Sequence, residues 1–177
     1  LIVRVPYAIL SADRRATRGR LHMKVHRYAV DVEWTGNLGN GTRTMAGYHR
    51  DHRISAPGKP AIEGSSDPAF RGDPARWNPE ELLLASLSAC HKLWYLGLCA
   101  QAGVVVLSYH DAAEGVMEEE PGGAGQFSAV TLRPSVTIAA DSDPSLAAAL
   151  HEQAHAMCFI ARSVNFPVDH APVITLG

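Results

Sequence analysis

An α+β fold is predicted, and the order of elements predicts it: three short strands, one long helix, two strands, a helix and a last strand. Strand-like and helix-like runs are segregated, not alternating, which argues against a doubly wound parallel sheet. The helix start at Asn78 is the strongest local signal in the chain. A length of 177 residues suits one compact domain with a real core.

Residues 24–34 form the first expected strand, with β-type alternation over residues 26–35. The cluster Asn37-Leu38-Gly39-Asn40-Gly41 is rich in residues that tolerate positive φ, so it predicts a turn. Residues 42–48 are expected to return as a second strand, giving a hairpin, and residues 50–54 to begin a third. Residues 56–76 carry Pro57, Pro60, Pro68 and Pro74 and read as loop. A loop of that length in a compact domain is often functional.

Asn78 then supplies an N-cap, Pro79 the first helical position and Glu81 a side chain that can reach back to the cap. The helix runs to residue 102, broken in composition only by Gly97, and Gly103 is placed to end it. It is apolar on nearly every side, which puts it in a core or a dimer interface. Residues 104–116 read as a strand, 118–125 as an acidic turn and 127–140 as the returning strand. Asp143-Pro144 starts a second helix by the same capping logic, reaching about Met157. A short helical piece over 159–164 and a last strand over 167–176 complete the chain.

Hydrophobic residues make up 46% of the chain and the net charge is −2. That balance carries no nucleic-acid or membrane signature, and no apolar run approaches a membrane span. Residues 1–22 hold five arginines against one aspartate and show no apolar period. They read as a leader or disordered tail, because Arg4 interrupts the apolar stretch that a secretory signal needs. The expected compartment is therefore the cytoplasm. Three cysteines do not suggest a secreted disulfide scaffold, and in a reducing compartment a cysteine pair is more often catalytic or metal-binding.

Cys90 lies about three turns into the long helix, with Ser88 and Ala89 leaving room beside it. Alone, it reads more readily as a buried, inert core residue. Cys99 follows nine residues later, about half a turn round the axis and ~13 Å along it. These two point away from each other and cannot bond, which leaves Cys158 or a second chain open to Cys90. A rival chemistry is visible in His151-Glu152-Gln153-Ala154-His155, the zinc-hydrolase pattern with both histidines on one helix face. No third ligand stands at a standard offset after it: Cys158 and Ala161 occupy those places.

The segment Asn78-Pro79-Glu80-Glu81-Leu82 leading to Cys90, with Cys158 beyond a second helix, resembles the signature of the OsmC/Ohr family, the osmotically induced and organic hydroperoxide resistance proteins. The resemblance runs over about residues 26–176. It implies one OsmC-like domain over residues 23–177, with an N-terminal β-meander, a long central helix, a second β-hairpin and helix, and an intertwined homodimer. It also implies a thiol peroxidase that reduces organic hydroperoxides, as an antioxidant stress response. Cys90 would become a sulfenic acid, and Cys158 would close it to a redox-active disulfide. A dithiol would reset the pair: a lipoylated protein, thioredoxin or a small thiol. No metal or organic cofactor is implied.

Family members activate the thiol with an Arg held by a Glu, from either chain. Glu80 matches the Glu. Arg71 in the pre-helix loop is the preferred Arg, with Arg43 in the first hairpin and then Arg76 behind it. Leu93, Trp94, Met157 and Phe159 flank the cysteines and are candidates for an apolar pocket. The chain departs from familiar members at Phe159, where many have Pro, at His91, at Cys99 and in its long pre-helix loop. These departures keep a second reading open: the same fold as a stress-response or redox-sensing binding protein without turnover.

Overall fold

The computed structural model describes residues 24–177, so the leader or tail expected over residues 1–22 lies outside the described part. The chain falls into two units, Leu1–Val30 and Asp31–Gly177. In the first, residues 24–30 carry no helix or strand. The first expected strand is therefore cut to its last four residues, β1 (Asp31–Trp34).

β1, β2 (His52–Ser55) and β3 (Ile62–Gly64) form an antiparallel meander. Two expectations fail here. Residues 42–48 are turns and bends, joined to the outgoing chain by a single bridge between Asn37 and Tyr48. The Asn37 carboxamide accepts the N–H groups of Gly39 and Gly41, which coils the segment locally instead of extending it. The pre-helix loop in turn contains β3 and a 3-10 turn at Pro68–Phe70, capped by the Asp67 carboxylate. Gly72 is required there: a Cβ would lie 1.5 Å from the Ser66 carbonyl oxygen. Buried Ser65 ties the loop down by donating to Asp51 and accepting the Asp73 N–H.

The first helix, α1 (Pro79–Ala102), starts and stops as its sequence dictates. Asn78 accepts the Glu81 N–H and the Glu81 carboxylate accepts the Asn78 N–H. Gly103, at φ 76°, closes the C-terminus. By length and composition, with a mean hydropathy of 1.3 over 18 residues, α1 could cross a membrane, contrary to the expectation that no run approaches that length. Here it packs as the central helix of the unit. Its buried stripe is Leu87, His91, Tyr95 and Cys99, at intervals of four residues.

Each of the later expected strands is broken in two: β4 (Val106–Asp111) and β5 (Glu114–Glu119), β6 (Gly125–Leu132) and β7 (Pro134–Ile138), β8 (Val168–His170) and β9 (Val173–Leu176). The breaks line up and divide the strands into two sheets, β4-β7-β9 and β5-β6-β8. Pro134 and Pro172 lack the N–H needed to continue the ladder. The Asp111 carboxylate fixes the corner by taking the Arg133 N–H and the Ser88 hydroxyl. α2 (Pro144–Met157) is capped by Asp143. One core cluster joins Tyr95, Cys99, Val136, Ile138, Ala147 and Ala154, and another joins Leu87 to Val130, Leu132 and Val168. The architecture is α+β, as the sequence predicts.

Candidate functional site

Two of the three cysteines meet. Cys158 is the C-cap of α2, buried, and its thiol lies near that of Cys90. Burial first, and then the Cys90 thiol, push the Cys158 pKa up to about 11, so it stays protonated at neutral pH. The Ala161 N–H donates to its sulfur at 3.4 Å and favours the thiolate once the proton leaves. Cys90 sits beside the buried stripe of α1 and is partly accessible. Cys99 is buried one turn from Tyr95, away from the pair, with its pKa raised by burial.

Cys90 opens onto a cavity of about 660 Å³ whose walls include Leu93, Trp94, Leu98, Phe159 and Ile160. Trp94 and Phe159 meet edge to face, with ring centroids 5.5 Å apart. Three of the four expected pocket residues are there. Met157 is not: it turns outward near the end of α2.

The expected arginines do not reach this site within the chain. Arg71 caps the 3-10 turn at φ 67°, and its side chain is exposed. Arg43 stands exposed among the turns of residues 42–48. Arg76 is taken by Glu63 at 2.9 Å, Asp73 at 3.5 Å and Asp51 at 3.8 Å, an ion network that braces the loop. Glu80 is ten residues before Cys90, ~15 Å along the helix axis, too far for its side chain to span. Its Oε2 is buried without a hydrogen-bond partner among the described residues.

Sequence reasoning missed Arg50. Its Nη1 donates to the Tyr48 carbonyl at 2.7 Å and its guanidinium lies 4.3 Å from the centre of the Tyr48 ring. Its Nη2 is buried without a hydrogen-bond partner among the described residues, and it lines a cleft with Pro79 and Leu82 at the start of α1. The guanidinium is thus held in place with one donor left unused among the described residues. The lone signal in sequence was an Arg among polar neighbours, which distinguishes nothing.

The histidines form a second buried feature. His91 Nε2 and His151 Nδ1 are 2.9 Å apart, in rings inclined by only 10°. His170 lies against both, and His155 stacks on His170. The zinc-hydrolase pattern does not assemble: His151 is engaged by His91, Glu152 is 79% exposed and bound to His170 at 3.2 Å, and no metal-ligand cluster occurs among the described residues.

A family model described as OsmC-like protein matches residues 72–171. An OsmC-like protein of unknown function from Vibrio cholerae is 30% identical, with a TM-score of 0.76, over 84% of this chain and 100% of that one. The chain belongs to the OsmC-like family. Other OsmC-fold structures include an organic hydroperoxide resistance protein from Legionella pneumophila, 14% identical with a TM-score of 0.60, over 86% of this chain and 99% of that one. An organic hydroperoxide resistance protein from Elizabethkingia anophelis is 18% identical with a TM-score of 0.61, over 88% and 100%. These two show the OsmC-like fold alone. No curated protein matches the chain.

Proposed function

We propose that this OsmC-like protein is a thiol peroxidase that reduces organic hydroperoxides through Cys90 and Cys158. The observation that carries the reading is the contact between a partly accessible Cys90 and a buried, protonated Cys158 beside an apolar cavity. The names of the Legionella and Elizabethkingia relatives agree with it.

The apolar walls of the cavity suit an alkyl chain. Cys90 attacks the terminal peroxide oxygen, the O–O bond breaks, and the alcohol leaves with the proton that completes it. The Cys158 thiol then attacks the sulfenic sulfur, forming the S–S bond and releasing water. Protonated Cys158 does not compete as a nucleophile before Cys90 is oxidised. An external dithiol such as a lipoylated protein reduces the disulfide by two exchange steps.

The activating cation comes from a second copy of the chain in this reading. Arg50 and Glu80 each keep a charged atom buried and unused, and Leu93, on the accessible side of α1, is 66% exposed. A homodimer that covers this side of α1 would bring the start of one α1 to Cys90 of the partner. The working compartment is the cytoplasm.

The test is to give reduced protein one equivalent of cumene hydroperoxide, count thiols and map disulfides by peptide mass. Loss of two thiols with a Cys90–Cys158 bond, and turnover with added dithiol, is expected. Three unreacted thiols would overturn the reading in favour of a binding protein with this fold.

A further inference from the structure

We infer that the buried His91–His151 pair is a proton-sensitive clamp: neutral, it holds α1 against α2 and keeps Cys90 and Cys158 together; protonated, it lets the helices part. The inference deepens the two-cysteine reading and rests on that pair.

The clamp sits where it has leverage on the thiols. His91 follows Cys90 on α1, turned by about 100° into the core. His151 and His155 are on the last two turns of α2, and the N–H of Cys158 donates to the carbonyl of His155 at 3.2 Å. The start of α2 is anchored by Ala147 and Leu150 in the core. Its end, which carries Cys158, is held by Ala154 in the same core and by imidazoles: His151 against His91, and His155 against His170.

Burial disfavours charge at this contact. His91 is 1% exposed and His151 0%. Whichever ring donates across the 2.9 Å contact, one N–H of the pair is left without an acceptor, since His91 Nδ1 and His151 Nε2 are both buried and unpartnered. The groups facing the pair offer little compensation. On α1 they are Tyr95 and Cys99, both kept protonated by burial. On α2 they are His155 and the exposed Glu152. On β4 they are Tyr109 and Asp111, the latter already holding Ser88 and Arg133. On β8 they are His170 and the exposed Asp169. β7 and β9 bring no ionisable side chain. A second proton would place two imidazoliums with ring centroids 5.2 Å apart.

Burial, with His170 and the other rings beside them, depresses His91 from the usual 6.5 to about 4 and His151 to about 3. A depressed histidine favours the closed state above pH 6.5, and that preference is lost as pH falls from 6.5 towards the closed-state value. Acid therefore opens the clamp. In the oxidised protein the disulfide ties the helices whatever the histidines do. Proton uptake and the disulfide then oppose each other, and the coupling is reciprocal.

The decisive measurement is the equilibrium of the Cys90–Cys158 disulfide with lipoamide and dihydrolipoamide between about pH 5 and 8. With both protein thiols protonated, two electrons and two protons pass to lipoamide and the exchange consumes no protons. Any ionisation of Cys90 favours the disulfide at low pH, the opposite sign to the clamp, and acts in native and variant protein alike. In the native protein the equilibrium constant of the disulfide should fall as pH drops below 6.5, where proton uptake opens the reduced protein. In the His91→Gln/His151→Asn double variant, whose amides can bridge the helices but cannot titrate, that fall should be absent. A flat native profile, or the same slope in both proteins, overturns the clamp.

Should the double variant not fold, ring ¹⁵N titrations of the native protein decide: His91 and His151 must titrate lower in the oxidised than in the reduced form. Identical titrations overturn the inference. Cumene hydroperoxide consumption near pH 7.5 separates the two claims. Slope without consumption removes the peroxidase and keeps the clamp. Consumption without slope does the reverse. No disulfide at any pH removes both.

Discussion

In the proposed peroxidase, Cys90 and Cys158 divide the work by environment. Burial keeps Cys158 protonated, and partial exposure on the cavity makes Cys90 the thiol a substrate can meet. Cys90→Ser is expected to abolish peroxide consumption, seen as loss of turnover by at least ~10³-fold. Cys158→Ser should still take one oxidising equivalent, with a sulfenic acid that dimedone traps and no disulfide on a mass map. Cys99 is expected to be silent in the same assay, because it is packed beside Tyr95 in the opposite core. Full activity in the Cys90→Ser protein would end the peroxidase reading.

At the scale of the element, α1 is the frame of the site. Its N-terminal box fixes where the helix begins and therefore how far Glu80 lies from Cys90. Asn78→Ala removes the acceptor for the Glu81 N–H in a 6% exposed position. It is expected to cost about 1 kcal/mol of stability, read as a lower denaturant midpoint at unchanged slope. The core stripe of Leu87, His91, Tyr95 and Cys99 is unaffected by that change. A loss of peroxidase activity larger than the loss of folded protein would show that the cap also positions Glu80.

At the scale of the molecule, one chain holds the thiols and holds Arg50 and Glu80, but not in the same place. If two copies complete each other, Cys90→Ser and Arg50→Met proteins should each be inactive and should rescue each other when unfolded and refolded together. Random pairing makes half the dimers mixed, each with one complete site of two, so about a quarter of native activity should return. No recovery, with mixed dimers present by native mass spectrometry, would mean that Arg50 acts within its own chain or not at all.

The sequence by itself determined the local events: where α1 starts and stops, where α2 starts, and that the elements sort into an α+β chain. Those are set by residues within one helical turn of each other, such as Asn78 with Glu81 or Asp143 with Ser145. It also marked Cys90 and Cys158 through a family resemblance. Tertiary structure alone decided the rest. The aligned breaks that split three expected strands into six are fixed in part by Asp111 reaching Arg133 across the sheet, and the coiled segment after Asn37 replaced an expected strand through side-chain bonds to the backbone. Arg50, and not Arg71 or Arg43, is the arginine held at the start of α1. His91, His151, His155 and His170 come together from three elements, a convergence that periodicity cannot reveal. Local capping energies are legible in a string of letters, whereas burial, which sets the thiol and imidazole chemistry here, exists only once distant segments pack.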